Sequence, residues 1–457
     1  MAFRPIDFNI IQLEFEQKFP DGKLFEGKNF NYIKLVQHGL SYSMTDAQNK
    51  LLKKNLFSSW VIYKLKSWVN SKRIKGNLLS QKSESILILE GRRKLKLPTG
   101  ELISPITHLI RESILNTEYS WWDTTGAFAK EADFSVKDLS NWFPPTNEIQ
   151  SEIYFELKEL LQKIRKVGVL SGSEFQYVES AFFVFFESFR RWHALLTIAK
   201  PKTLVGITHY HNEGCLAAAK LLGIKTIELQ HGLISKHDLY YVYPEKYRDS
   251  LAKAMFPDEI WLFGNFWKRV LDAGAESAFM KSLVIGNFTT DTAIKSNDFM
   301  KENRVLLCAQ KNLSKPYIDW IRYMRDFILP NHPNWKLIVK LHPLESEVQK
   351  YESEANNFVE VLPISASLNN ELKRAKIQVS IYSTTFFDSL GMQVKNFTLD
   401  DIGYSEDYAS EMVALGVAEP LKKLEDVISK FESSPNQIDN LTREDVFALF
   451  QPRIMNF

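Results

Sequence analysis

The sequence predicts an α/β protein of two Rossmann-like, doubly wound lobes facing each other across a cleft, with extra helices ahead of the first lobe. Three observations predict it. From residue 203 on, short aliphatic runs alternate with amphipathic stretches, the mark of βαβ units and parallel sheets. The alternation halts in a polar stretch at 295–303 and then starts again, which implies two sheets. The chain has 457 residues, 45% hydrophobic, 25% charged and 13% aromatic, enough for two large cores. Such a balance excludes a wholly disordered chain, a collagen and a long coiled coil.

Residues 1–83 read as a helical N-terminal segment, 84–295 as the first lobe with a helical insertion, and 296–457 as the second lobe. In the first segment Lys53, Lys54, Lys64, Lys66, Lys72, Arg73 and Lys75 alternate with Leu, Trp and Ile. That pattern suits a solvated amphipathic face or one that touches an anionic lipid or glycan. The first strand is 85–90 (SILILE), ended by a turn at Gly91, Arg92 and Arg93. Residues 101–200 read as mostly helical, including the aromatic cluster Tyr119, Trp121 and Trp122. The run AFFVFFESFRRW is too short to cross a bilayer and reads as a buried helix. Strands follow at 203–208, 226–230, 259–263 and 282–285, with helices at 213–222, closed by Gly223 as C-cap, and at 267–273. In the second lobe strands are expected at 304–309, 336–341, 359–362, 377–382 and 396–399. Helices are expected at 318–328, 368–376 and 385–392, and again toward the C-terminus.

Charge is nearly balanced, 57 Lys and Arg against 55 Asp and Glu, which gives no electrostatic case for nucleic acid. The two cysteines, Cys215 and Cys308, lie in apolar surroundings far apart, which fits a reducing compartment. Early charges argue against a signal peptide, and no apolar run reaches membrane-spanning length. The expectation is a cytoplasmic protein, with peripheral contact to the inner membrane as an extension of it.

Familiar motifs are missing: no Gly-x-Gly-x-x-Gly, no phosphate-binding Walker loop, no His-Glu-x-x-His, no Gly-x-Ser-x-Gly and no Asp-x-Asp. This weighs against a kinase, a dinucleotide dehydrogenase, a zinc protease and a metal-dependent transferase. Four clusters remain, all at strand ends, where α/β sheets bind ligands. Lys340-Leu341-His342-Pro343 offers an imidazole and an ammonium to a phosphate, and reads otherwise as a turn. Ser383-Thr384-Thr385 offers hydroxyls at a helix start, with Thr385 and Asp388 at capping-box spacing. Glu228, Gln230 and His231 end a strand, and Gly232 would let the chain turn with positive φ and aim His231 as a general base. His209-Tyr210-His211-Asn212-Glu213 offers a second carboxylate base, Glu213, and a His-x-His pair with no third metal ligand in view.

The runs AAAKLLGIKTIELQHG (217–232), KLHPLE (340–345) and SIYSTTFFDSLGM (380–392) resemble those of bacterial capsule and surface-polysaccharide glycosyltransferases of the two-lobed GT-B type. DEIWLFGNFWKRVL (258–271) and VIGNFTTD (284–291) resemble the end of their first lobe, and 85–106 their opening strand. The His-Pro and Ser/Thr elements are placed as in Kdo and sialic-acid transferases. The Asp/Glu-Asp/Glu-Gly base motif of one sialyltransferase group has no match here. The resemblance implies a nucleotide-sugar donor on the second lobe, held by Lys340, His342, Pro343, Ser383, Thr384, Thr385 and Gln310. It implies a glycan or glycolipid acceptor against the first lobe, near Arg92, Arg93 and Gln230, with His231, Glu213 or Glu228 as catalytic residue. It further implies chemistry without a metal or other cofactor, and a CMP-activated acidic sugar such as CMP-Kdo as donor. A 2-epimerase, a polyol-phosphate transferase and a non-catalytic assembly subunit are the alternatives.

Overall fold

The computed structural model describes residues 13–20, 22–45, 86–90, 95–96, 102–114, 119–124, 134–135, 144, 146–206, 208–210, 212–232, 234, 238, 240–287, 301–310, 313–343, 345–381, 383, 385–390, 392–399, 412–413, 416–421, 428, 443–446, 448 and 451. The chain divides into two compact units, Phe8–Thr290 with Ala448–Phe457, and Met1–Asp7 with Asp291–Phe447. Each contains a parallel sheet with the doubly wound, Rossmann-like strand order expected of the two lobes, and helical residues precede the first sheet.

In the first unit the strands are β1 (Ile86–Glu90), the short pair β2 (Leu95–Lys96) and β3 (Leu102–Ile103), β4 (Tyr119–Asp123), β5 (Phe134–Ser135), β6 (Thr203–Gly206), β7 (Lys225–Leu229), β8 (Glu259–Leu262) and β9 (Lys281–Val284). Seven of them form one sheet in the order β5-β4-β1-β6-β7-β8-β9. The aromatic cluster expected in a helix is strand β4, paired in parallel with β1 so that Trp121 faces Ile88. Aromatic side chains suit a pleated surface, and here Trp121 and Trp122 are buried on it.

Four helices frame this sheet: α1 (Ile33–Thr45), α2 (Glu148–Val167), α3 (Gly172–Ala199) and α4 (Glu213–Leu221). Asn147 with Gln150, and Ser171 with Glu174, form capping boxes that start α2 and α3. The AFFVFFESFRRW run lies in α3 and buries Phe182, Phe185, Phe186 and Phe189, as its apolar content requires. Gly223, at φ +67°, closes α4 as expected. Helices α1 and α4 approach the α3 backbone through glycines, Gly39 at Val178 and Gly214 at Phe189. A further helix, α5 (Asn265–Asp272), separates β8 from β9. The end of the chain returns to this unit, where the Gln451 amide donates to the Ile285 carbonyl.

The second unit has β10 (Glu302–Cys308), β11 (Lys336–Lys340), β12 (Val359–Val361), β13 (Ala375–Ser380), β14 (Lys395–Leu399) and β15 (Glu419–Leu421), ordered β12-β11-β10-β13-β14-β15. Strand β15 lies in a stretch expected to be helical. Helices α6 (Ser314–Tyr323), α7 (Leu368–Arg374) and α8 (Thr385–Asp388) connect strands here. One sheet face packs Val305, Leu307, Ile377 and Val379 under α6, and the other packs Leu306, Ile338, Leu372 and Met392. Among the described residues no helix is long and apolar enough to cross a membrane. The Lys-rich stretch from Lys53 to Lys75 lies outside the described residues.

Candidate functional site

In the second unit the chain adds β11 and β12 on one side of β10, then β13 on the other, so the strand order reverses between β10 and β13. Ligands of open α/β sheets bind beyond the carboxyl ends of the strands at such a reversal. Gln310 follows β10, His342 follows β11, and Ser383 and Thr385 follow β13. Tyr317 on α6 ties the ends of β10 and β13 together: its hydroxyl donates to Gln310 Oε1 at 3.2 Å and accepts the Ile381 amide at 3.2 Å. The His342 carbonyl accepts the Glu345 amide at 2.9 Å, so exposed Pro343 sits in a tight turn.

Two details differ from expectation. Lys340 does not offer its ammonium to a phosphate; it is buried, and its ammonium donates to the carbonyls of Leu341 (3.0 Å) and Ile364 (2.9 Å). Burial lowers its pKa. The expected helix 385–392 spans only Thr385–Asp388, and no Thr385–Asp388 capping box is needed, because Ser383 Oγ accepts the Thr385 amide at 3.2 Å. With one helical turn the aligned-dipole argument loses its force, and the hydroxyls themselves are what a ligand would meet. Thr384 lies outside the described residues.

In the first unit the order reverses between β1 and β6. Arg92 and Arg93, after β1, lie outside the described residues, as does His211. Beyond β6 and β7 the structure assembles a polar interior. Glu228 is 2% exposed and accepts from the Tyr241 hydroxyl at 2.5 Å, while its other oxygen meets His209 Nδ1 at 2.5 Å. His209 Nε2 lies 2.7 Å from the Tyr240 carbonyl, so both ring nitrogens are engaged within the fold. Glu213 is 4% exposed, and its carboxylate lies 3.2 Å from His38 Nδ1 on α1. Lys34, one turn before His38, donates to the Met255 carbonyl at 3.1 Å. Burial lowers its pKa to about 8, against the pull of Glu213 and Glu228, and burial drives His38 well below the ordinary histidine value.

His231 stands apart from this interior. It is half-buried, and its Nε2 lies 3.1 Å from the Tyr210 hydroxyl. Tyr210 is held by stacking on Tyr240, 4.6 Å between centroids, and by the edge of Tyr241. The turn that carries His231 does not rely on glycine strain: Gly232 is absent from the positive-φ glycines, and a β-carbon there would meet nothing within 4 Å. Gln230 fixes the turn. Its Nε2 donates to the Gly232 carbonyl at 2.9 Å and its Oε1 accepts the Phe263 amide at 2.8 Å. Gln230, expected at the acceptor, is fully buried with its amide engaged on backbone, so it shapes the turn and does not face a ligand.

Sequence reasoning missed Lys34, His38 and Gln378. Lys34 and His38 interrupt the apolar run Ile33, Leu35, Val36 and Leu40 at helical spacing, which is a readable sign of buried polar groups. Gln378 interrupts a strand buried on both faces.

No family model matches the chain, and no curated protein matches it. Solved structures do. The UDP-GlcNAc 2-epimerase from Methanocaldococcus jannaschii is 13% identical over 81% of this chain and 97% of its own, with a TM-score of 0.46. A co-structure of S. aureus MnaA with UDP gives 12%, 77% and 88%, with a TM-score of 0.44. The glycotransferase of kitacinnamycin gives 14%, 78% and 92%, with a TM-score of 0.42. Each is a chain that this one is similar to; the fold itself is read from the two strand orders given above.

Proposed function

We propose that this protein is a glycosyltransferase that moves a sugar from a nucleotide-activated donor to a bacterial surface glycan, with CMP-Kdo or another CMP-nonulosonate as the favoured donor. The observation that carries the reading is the placement of Gln310, His342 and Ser383 just past the carboxyl ends of β10, β11 and β13, beside the strand-order reversal of the second unit. Amide, imidazole and hydroxyl donors there suit phosphoryl oxygens, and no Asp-x-Asp, the usual carboxylate pair of a metal–diphosphate complex, occurs in the sequence. His231 is the favoured base, because Glu213 and Glu228 are buried against histidines while His231 is only half-buried. In the step proposed, the acceptor oxygen bonds to the anomeric carbon as the carbon–phosphate oxygen bond breaks. The acceptor proton goes to His231, and the nucleotide leaves with the phosphate charge.

A thermal-shift panel of CMP, CDP, UDP and GDP tests the reading, since a ligand of the folded state raises its melting temperature. Stabilisation by CMP above the others is expected. Product analysis follows: transfer of the sugar supports the proposal. Release of an epimerised nucleotide sugar, transfer of a phosphate-linked polyol, or binding without turnover would replace it.

A further inference from the structure

Strand β13 reads Ala-Lys-Ile-Gln-Val-Ser, and its Gln378 and Ser380 have no exposed surface. A buried amide is costly unless hydrogen-bonded, so its partners define its use. Gln378 Nε2 donates to Thr385 Oγ1 and lies 3.5 Å from Cys308 Sγ, while Oε1 has no hydrogen-bond partner among the described residues. Turning the amide over would leave its N–H groups without an acceptor in the apolar side of the sheet, a worse state than one under-used carbonyl. Burial pushes the Cys308 thiol up to about 12, so it stays a neutral neighbour.

The direction of the next bonds follows. Thr385 Oγ1 accepts from Gln378, so its own hydrogen points to Ser383 Oγ, 2.9 Å away. The Thr385 amide donates to the same oxygen at 3.2 Å. A serine hydroxyl has two lone pairs and one hydrogen. Both lone pairs of Ser383 are occupied, and only the hydrogen is left to face a ligand. Ser383 is half-buried, so that hydrogen can be reached.

We infer that Gln378 is a positioning residue: through Thr385 it makes Ser383 an obligate hydrogen-bond donor, which suits it to a phosphoryl oxygen and bars it from accepting a hydrogen bond from a ligand. This rests on the donor-site reading above. Aligned donors also polarise one another, so the outermost hydrogen bond is strengthened.

The test is calorimetric titration with CMP, UMP and UDP and with cytidine and uridine, on wild type, Ser383→Ala, Thr385→Val, Thr385→Ser and Gln378→Met, each checked for a native circular-dichroism spectrum. Ser383→Ala should weaken the best-bound nucleotide about ten- to hundredfold, the loss of a hydrogen bond to an ionised group. Thr385→Val and Gln378→Met should each weaken it about two- to tenfold, the loss of one neutral bond, with the nucleoside unchanged. Thr385→Ser keeps the hydroxyl and should match wild type. Should Gln378→Met fail to fold, Thr385→Val tests the same relay from its more accessible end. Nucleotide affinity within twofold of wild type in Thr385→Val, beside a weakened Ser383→Ala, overturns the relay and leaves the donor site standing. Equal weakening of nucleotide and nucleoside overturns it as well. No effect of Ser383→Ala, or no nucleotide bound by wild type, removes the donor reading and this inference together.

Discussion

Replacing Gly214 by alanine should destabilise the first unit, although alanine is the better helix former. Gly214 lies in the first turn of α4, against α3. A β-carbon there would sit 2.5 Å from the Phe189 amide nitrogen, 2.7 Å from Ser188 Cβ and 2.8 Å from the Phe185 carbonyl oxygen. Two of these atoms are helix backbone and cannot swing away. Ordinary contact begins at 3.4 Å, so the two helices must part by most of an ångström. A gap of that size forfeits about a quarter to a half of each dispersion well along the contact of α4 with α3. Overpacking of this kind costs about 1–3 kcal/mol, and the propensity gain returns at most about 1 kcal/mol. The net loss of about 1–2 kcal/mol corresponds, for a unit of this size, to a fall in melting temperature of roughly 2–4 °C. Thermal unfolding followed by circular dichroism measures it. Gly172→Ala is the control, because nothing lies within 4 Å of a β-carbon there. A Gly214→Ala protein as stable as the Gly172→Ala protein would refute the reasoning.

Glu276 is fully buried, and burial raises its pKa from 4.5 to about 8, against the Tyr243 amide and Arg248, which lower it. The folded state therefore holds this proton more tightly than the unfolded state, and stability should fall as pH rises from 4.5 to about 8, by at most about 5 kcal/mol. Glu276→Gln should lack that slope in urea titrations at pH 5 and pH 8.5; parallel slopes would sink the idea. His231→Ala should cut turnover about 10²- to 10⁴-fold at saturating donor, while Glu213→Gln and Glu228→Gln act mainly through stability. A folded Glu variant that is dead beside an active His231→Ala would reassign the base. Gly232→Ala should fold normally, since its backbone is not left-handed and its β-carbon has room; a melting temperature lowered by several degrees would show strain in that turn. Turnover should persist in EDTA, and its loss with restoration by magnesium or manganese would put a metal into the reaction.

The doubly wound halves were legible because their signals are local. KLIVK and KTIEL are aliphatic enough to read as buried parallel strands, and Gly223 marks a helix end by itself. What escaped was set by partners distant in sequence. YSWWD becomes a strand because β1 lies beside it. β15 is three residues with a proline in the middle, Pro420, and β14 makes it a strand by pairing. Lys34 and His38 meet Glu213 and Met255 only through the packing of α1 on α3 and of α3 on α4.

The same distinction explains why strand-end residues divided as they did. Glu228, Gln230 and His231 are neighbours in sequence, and each is a plausible site residue by position. Burial separates them. A carboxylate at 2% exposure that satisfies a tyrosine and a histidine is held by the fold, and moving it would strand both partners. An amide bonded at both ends fixes a turn. Only the histidine that ends the series is half-buried, and the orientation of its ring is set by Tyr210, which Tyr240 and Tyr241 in turn hold. The buried Glu228 carboxylate thus acts on His231 indirectly: Glu228 anchors Tyr241, Tyr241 walls Tyr210, and Tyr210 holds the ring. A polar interior of this kind favours one placement of His231 over the many that a free turn would allow, which is what a base must have to meet a hydroxyl at hydrogen-bond range.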